Sequence, residues 1–165
     1  MIELVAADIG GTHARFALAR AGGGRVQELG PAVTLKVAEH ASLQTAWAAF
    51  GAQIGRPLPR AAAIALASPV SGEVIRLTNN PWVIHPASLP ATLGVDAHLL
   101  VNDFEAVAHA VAQADPADLR HCCGPDVPLA ETGVVTIVGP GTGLGVAALW
   151  RDGADYRVIP TEGGH

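Results

Sequence analysis

Residues 4–18 read LVAADIGGTHARFAL: an apolar run ends in an acid, turns on two glycines and a threonine, and leaves as a second apolar run. The pattern predicts two antiparallel strands joined by a glycine turn. Gly10 and Gly11 are expected to take backbone angles closed to other residues and to let the main chain approach a ligand, so that successive N–H groups meet one anionic oxygen. Asp8 stands where it can organise a Mg²⁺ ion and its water shell, and the Thr12 hydroxyl and Arg15 guanidinium add donors. A hairpin whose glycines merely make the bend explains the same letters.

A similar stretch returns near the other end of the chain. Placing Thr12 on Thr142 sets VAADIGGTHARFALAR against VTIVGPGTGLGVAALW, with Gly11 on Gly141 and apolar runs on both sides of each turn. Repetition of one supersecondary unit suggests two related halves. Two such turns facing across a cleft would hold a nucleoside triphosphate from both sides.

Other nucleotide-binding designs do not fit. The P-loop and the protein-kinase fold each need a placed lysine, and the single lysine, Lys36 in VTLKVAEH, adjoins no glycine loop. The dinucleotide fingerprint fails because Gly139, Gly141, Gly143 and Gly145 alternate, which puts Leu144 where its third glycine belongs.

Composition bounds the answer. Of 165 residues, 50% are apolar and 15% charged, which is enough for a substantial core in one domain or one and a half. A net charge of −5, without a basic run or interleaved aromatics, argues against a nucleic-acid partner. Neither a secretory leader nor a bilayer-length apolar run is evident, so a cytoplasmic location without membrane association is expected. Cys122 and Cys123 are adjacent; neighbours bridge only through a strained turn, so reduced thiols are expected. With His121 they lack the spacing that wraps a metal ion.

Along the chain the reading is mixed α and β. Strands are expected at 33–37, 61–67, 74–77 and 97–101. Ser42 should cap a helix over 43–54 whose Leu43, Ala46, Trp47, Phe50 and Ile54 share one face. The run AAAIALA at 61–67 reads as a strand buried on both faces. A short helix follows Pro86 and Ser88 to Leu93. Residues 79–82 are polar and aromatic, fit to line a sugar site or simply to turn. A helix over 104–113 should pack through Phe104, Val107, Ala108 and Val111.

Asn102 and Asp103 end the strand AHLLV just before that helix. A carboxylate at such a junction sits at the carboxyl end of the sheet, where ligands of open α/β folds collect. There it can accept an alcohol's proton during phosphoryl transfer, or it can cap the helix.

Taken together and in order, ADIGGTHAR (7–15), TNNPW (78–82), VNDFEAVA (101–108), GPGTGLGVA (139–147) and EGGH (162–165) resemble the bacterial glucokinases, hexose kinases of the actin-like ATPase superfamily. The resemblance implies an α/β actin-like ATPase (ribonuclease H-like) fold with a mixed sheet and helices. It implies ATP, with Mg²⁺, as phosphoryl donor and glucose as acceptor. It assigns Ala7, Asp8, Ile9, Gly10, Gly11 and Thr12 to the first phosphate motif, with Asp8 toward the Mg²⁺ of the nucleotide. It assigns Gly139, Gly141, Thr142 and Gly143 to the second phosphate motif. Asp103 matches the catalytic base, and Asn102, Glu162 and His165 match ligands of sugar hydroxyls, groups that both donate and accept toward a polyol.

The resemblance further implies a small domain over 1–112, the incomplete start of a large domain over 113–165, and a homodimer for full-length members. Those members run considerably further, so the chain is expected to be a fragment with little kinase activity alone. Two alternatives share the scaffold: a kinase for another hexose, and a non-catalytic sugar-sensing protein.

Overall fold

The computed structural model describes residues 1–141 and 143–162, the side chain of Glu162 excepted. The chain divides into two compact units, Met1–Asp103 and Phe104 onward. The division falls nine residues before the expected end of the small domain at 112, because the helix over 103–113 buries its apolar stripe in the second unit.

In the first unit, β1 (Ile2–Ile9) and β2 (His13–Gly22) form the expected hairpin, in which Asp8 pairs with Arg15 and Ile9 with Ala14. The outer edge of β2 is shared by β3 (Arg25–Leu29) and β4 (Val33–Lys36). On the other side of β1 lie β5 (Ala61–Leu66) and β8 (Ala97–Asn102), both parallel to it. A small antiparallel pair, β6 (Ile75–Arg76) and β7 (Val83–Ile84), replaces the longer strand expected at 74–77.

Helix α1 (Leu43–Ile54) begins where Ser42 predicts. Ser42 Oγ accepts from Thr45 N at 3.3 Å while Thr45 Oγ1 accepts from Ser42 N at 3.0 Å, which satisfies two amides that the first turn leaves open. Gly55, left-handed at φ 70°, ends it. Leu43, Ala46, Trp47 and Phe50 are buried against the sheet. Phe16 of β2 stacks on Phe50 at 5.4 Å and meets Trp47 edge-on at 6.3 Å. Helix α2 (Leu89–Leu93) closes the layer through Leu89 and Leu93. In β5, Ala62, Ile64 and Leu66 are buried in this core; on the opposite face Ala65 is buried but Ala61 and Ala63 are only partly covered, so the strand is enclosed on both sides, as expected, only toward its carboxyl end.

The second unit packs α3 (Asp103–Gln113) on a three-stranded antiparallel sheet of β9 (Thr132–Pro140), β10 (Leu144–Asp152) and β11 (Asp155–Glu162), in the order β11-β10-β9. Ala108, Ile137, Ala147 and Leu149 form its core, with Phe104, Val111, Ala112, Val135, Tyr156 and Val158 around them. Val107, expected on the packing stripe, is instead 42% exposed. Tyr156 Oη lies 3.1 Å from both His109 Nδ1 and Gln113 Nε2, fastening the helix to β11.

Candidate active site

The parallel register of the first unit puts Ile9, Leu66 and Asn102 in one row across β1, β5 and β8. The three chain segments that follow them leave from the same end of the sheet, the end at which open α/β folds bind ligands. Asp8 stands one residue before the row and Asp103 one residue after it.

The first glycine turn is held from several sides. Gly10 N donates to His13 O at 2.9 Å, Val37 N to Thr12 O at 2.9 Å, and Ala67 N to Ile9 O at 3.1 Å. Neither Gly10 nor Gly11 has a positive φ, so the expectation of angles closed to other residues fails. Space is what Gly11 supplies: a Cβ there would lie 3.2 Å from Thr78 O and 3.3 Å from Asn79 Cβ and O. The backbone of the TNN loop rests directly on this glycine.

Asn80, buried to 7% exposure, reaches back from that loop. Its Nδ2 donates to Gly10 O at 2.8 Å and its Oδ1 accepts from Trp82 N at 2.9 Å. Asn79 before it is left-handed at φ 56°, a conformation asparagine tolerates better than most residues. Trp82, which the sequence offered to a sugar site or a turn, is 2% exposed and donates through Nε1 to His40 O at 2.8 Å. It belongs to the core. The asparagine clamp went unassigned in the sequence, where Asn-Asn-Pro is ordinary turn composition.

Asp8 Oδ2 accepts from Arg15 Nη1 at 2.9 Å across the hairpin, with both side chains about half exposed. The pair leaves Asp8 Oδ1 unused by Arg15. Among the described residues no group of three or more His, Cys, Asp or Glu side chains could hold a metal ion. One half-exposed carboxylate suits a Mg²⁺ that arrives with nucleotide phosphates and keeps most of its waters, the usual mode for that ion.

Asn102 closes β8, and its Nδ2 lies 3.4 Å from Ser68 O in the segment after β5. Ser68 is itself buried, with Oγ donating to Arg76 O at 3.1 Å. Asp103 opens α3 and is half-buried.

In the second unit the glycine turn is built differently. Gly141 N donates to Gly143 O at 2.8 Å, and the strands close on the pair Pro140 and Leu144. Val138 pairs with Val146, so the register is one residue off that of the first hairpin, in which Asp8 pairs with Arg15. The repeat is one of shape, and the Asp8–Arg15 pair has no counterpart in it. Glu162 pairs with Gly145 at the end of β11. Thr142 and His165 lie outside the described residues. Cys122 and Cys123 are free and exposed.

An open sheet with a β-hairpin glycine turn at its leading strand and an aspartate at a parallel strand-to-helix junction is the fold of the actin-like sugar kinases. A glucokinase from an Antarctic psychrotroph superposes with a TM-score of 0.79 at 28% identity over 100% of this chain and 51% of its own. A Balamuthia mandrillaris glucokinase solved with glucose gives 0.66 at 25% identity over 99% of this chain and 48% of its own. The sequence profile of the glucokinases matches residues 5–165, and the chain belongs to that family. The Zymomonas mobilis glucokinase is 63% identical over 99% of this chain and 51% of its own length, and that of Nitrobacter hamburgensis 42% identical over 98% and 48%. The chain spans about half the length of the curated relatives it matches.

Proposed function

We propose that this chain carries the phosphate-gripping turns and the base of an ATP-dependent glucose kinase. The observation that carries the proposal is the parallel register that sends Asn102 and Asp103 from the same sheet end as the glycine turn after Asp8. In this reading the 6-hydroxyl oxygen of glucose attacks the γ-phosphorus of ATP, its proton passes to the Asp103 carboxylate, and the bond to the β-phosphate oxygen breaks. Little covalent work falls to the protein, which supplies position and charge compensation.

The donors follow from the turn. Gly10 N–H is spent on His13 O, which leaves, among the described residues, the Gly11 and Thr12 N–H groups and the Thr12 hydroxyl for a phosphate oxygen. Arg15 adds positive charge beside Asp8. Mg²⁺, bound with the nucleotide, would neutralise phosphate charge, with Asp8 as its protein-side carboxylate. In the second hairpin, Gly139, Gly141, Thr142 and Gly143 are assigned to the same polyphosphate. Asn102, Glu162 and His165 are assigned to the sugar hydroxyls, where a sugar lacking one would leave a polar group of the bound complex unpaired.

The same reading places the protein in the cytoplasm, a homodimer at full length, acting on free glucose without nucleic-acid or membrane partners. No described helix is long and apolar enough to cross a membrane. The test joins this chain to the C-terminal half of the Zymomonas mobilis relative and measures ATP consumption against a panel of hexoses. Turnover greatest with glucose is expected, with little from the 165-residue chain alone. Sugar binding without turnover in a folded joined protein would overturn the proposal.

A further inference from the structure

The four alternating glycines of GPGTGLG divide into two pairs with different work. Gly141 and Gly143 make the turn: a Cβ on Gly141 would meet only Gly143 O at 3.8 Å, and one on Gly143 would meet nothing. Gly139 and Gly145 are register partners on β9 and β10, on the face that α3 covers. Neither has a positive φ, so no backbone angle demands glycine at either position. Their missing side chains make room for a ring. A Cβ on Gly139 would overlap Cζ and Cε1 of Phe104, and a Cβ on Gly145 would overlap Cε2, Cδ2 and Cζ of the same ring. No other glycine approaches a neighbour so closely among the described residues.

Phe104 is the second residue of α3, and Asp103 is the first. A ring seated between two glycines cannot slide along the helix axis or tilt without striking the backbone of β9 or β10. We propose that Phe104 is a positioning residue: its ring, keyed into the Gly139–Gly145 slot, fixes the first turn of α3 and thereby the backbone that carries Asp103. The inference rests on the phosphoryl-transfer reading for its consequence in catalysis, and on the slot alone for its mechanical part. It also gives Gly139 a duty toward the ring, met by its missing side chain, beside the phosphate role assigned to it above.

Two measurements test it separately. The mechanical part is read by thermal unfolding and amide hydrogen exchange of the 165-residue chain as wild type, Gly145→Ala, Phe104→Ala and the double variant. Gly145→Ala should lower Tm strongly in the presence of the ring and by much less once Phe104→Ala has removed it. Exchange at the amides of residues 103–107 should quicken in Phe104→Ala. Additive Tm losses, or unchanged exchange, would overturn the slot whether or not the protein is a kinase.

The catalytic part is read in the joined protein, with Phe104→Leu alongside in case the alanine variant folds poorly. Displacing the base by an ångström should lower kcat by about 100-fold, with KM for glucose and ATP within threefold of wild type, since no substrate contact is removed. Phe104→Leu should fall between. Equal losses in kcat and affinity, or no loss of kcat, would refute positioning. An inactive wild-type joined protein would instead count against the phosphoryl-transfer reading, and with it the catalytic half of this inference, leaving the Tm and exchange results to decide the slot.

Discussion

The side-chain amide of Asn80 donates to the backbone carbonyl of Gly10 at 2.8 Å, from a residue 70 positions away in sequence. That bond, with the Trp82 amide on Asn80 Oδ1, ties the TNN loop to the first glycine turn in a buried setting.

Asn80→Asp is therefore expected to weaken both stability and nucleotide binding. A carboxylate cannot donate to Gly10 O, and its charge would face a carbonyl oxygen away from water. Leaving that acceptor unsatisfied costs about 1–3 kcal/mol, and more for the buried charge. Asn80→Ala should lose a similar amount without the repulsion. Urea unfolding and ATP titration of the joined protein check this; a variant with wild-type ATP affinity would show that the loop does not govern the turn.

Asp103→Asn keeps the size of the side chain and removes its basicity. If Asp103 takes the hydroxyl proton, kcat should fall by about 10²–10⁴-fold with KM for glucose changed little. A purely structural role for this first helical residue predicts instead that kinetics and Tm both stay near wild type, because asparagine is accepted at helix N-termini as readily as aspartate. A coupled assay beside a melting curve distinguishes the two.

Much of this architecture was readable from letters because the relevant signals are local. Ser42 and the apolar spacing after it define α1, and alternation around Gly-Gly defines the β1–β2 hairpin. Elements stabilised by neighbours were not. β3, RVQEL, is exposed at every position, and only its ladder with β2 makes it a strand. β11 contains Pro160, which demotes a run as a strand signal, yet it sits on the sheet edge where a missing N–H is tolerated. The places of Asp8, Asn102 and Asp103 beside strand ends were legible too, because apolar runs stop there. The clamp by Asn80 and the ring slot under Phe104 were not, since both depend on contacts between segments distant in sequence.

Acid should act through exposed pairs that frame the first sheet. Arg60 Nε lies 2.6 Å from Asp96 Oδ2, and Asp96 N donates to Arg60 O at 2.7 Å, bracing the entry to β5 against the entry to β8. The hydrogen bond from Arg60 holds the Asp96 carboxyl below its usual range, and Arg56 does the same for Glu3. A depressed folded-state pKa contributes stability that is present above the unfolded value and lost as pH falls through the folded one. The contribution should thus persist down to about pH 4 and fade below it. Both pairs are solvent-exposed, so the effect is small and screened by salt. Asp96→Asn should lower Tm slightly at neutral pH, the difference closing in acid and in high salt; a gap that widened in acid would contradict the assignment.

The three-stranded sheet of the second unit covers only one of its faces with α3. Strand alternation puts Val134 and Val138 of β9, Leu144 and Trp150 of β10 and Ile159 of β11 on the other face, where Val134 is 66%, Val138 54% and Ile159 53% exposed. Ala148 lies between Thr136 and Ile159 in the same ladder, so the patch is continuous across the strands. A contiguous apolar patch of this kind drives association, and the edges of β9 and β11, which no further strand pairs among the described residues, add to it. The 165-residue chain should therefore bind a hydrophobic dye and form dimers or larger species with a second copy of itself as concentration rises. Val138→Thr combined with Ile159→Thr keeps the β-branched shape and breaks the patch, so it should reduce both signals while leaving the far-ultraviolet circular dichroism spectrum unchanged. Sedimentation across a concentration series decides the matter: a wild-type chain that stays monomeric throughout would mean that this face does not pair with a second copy.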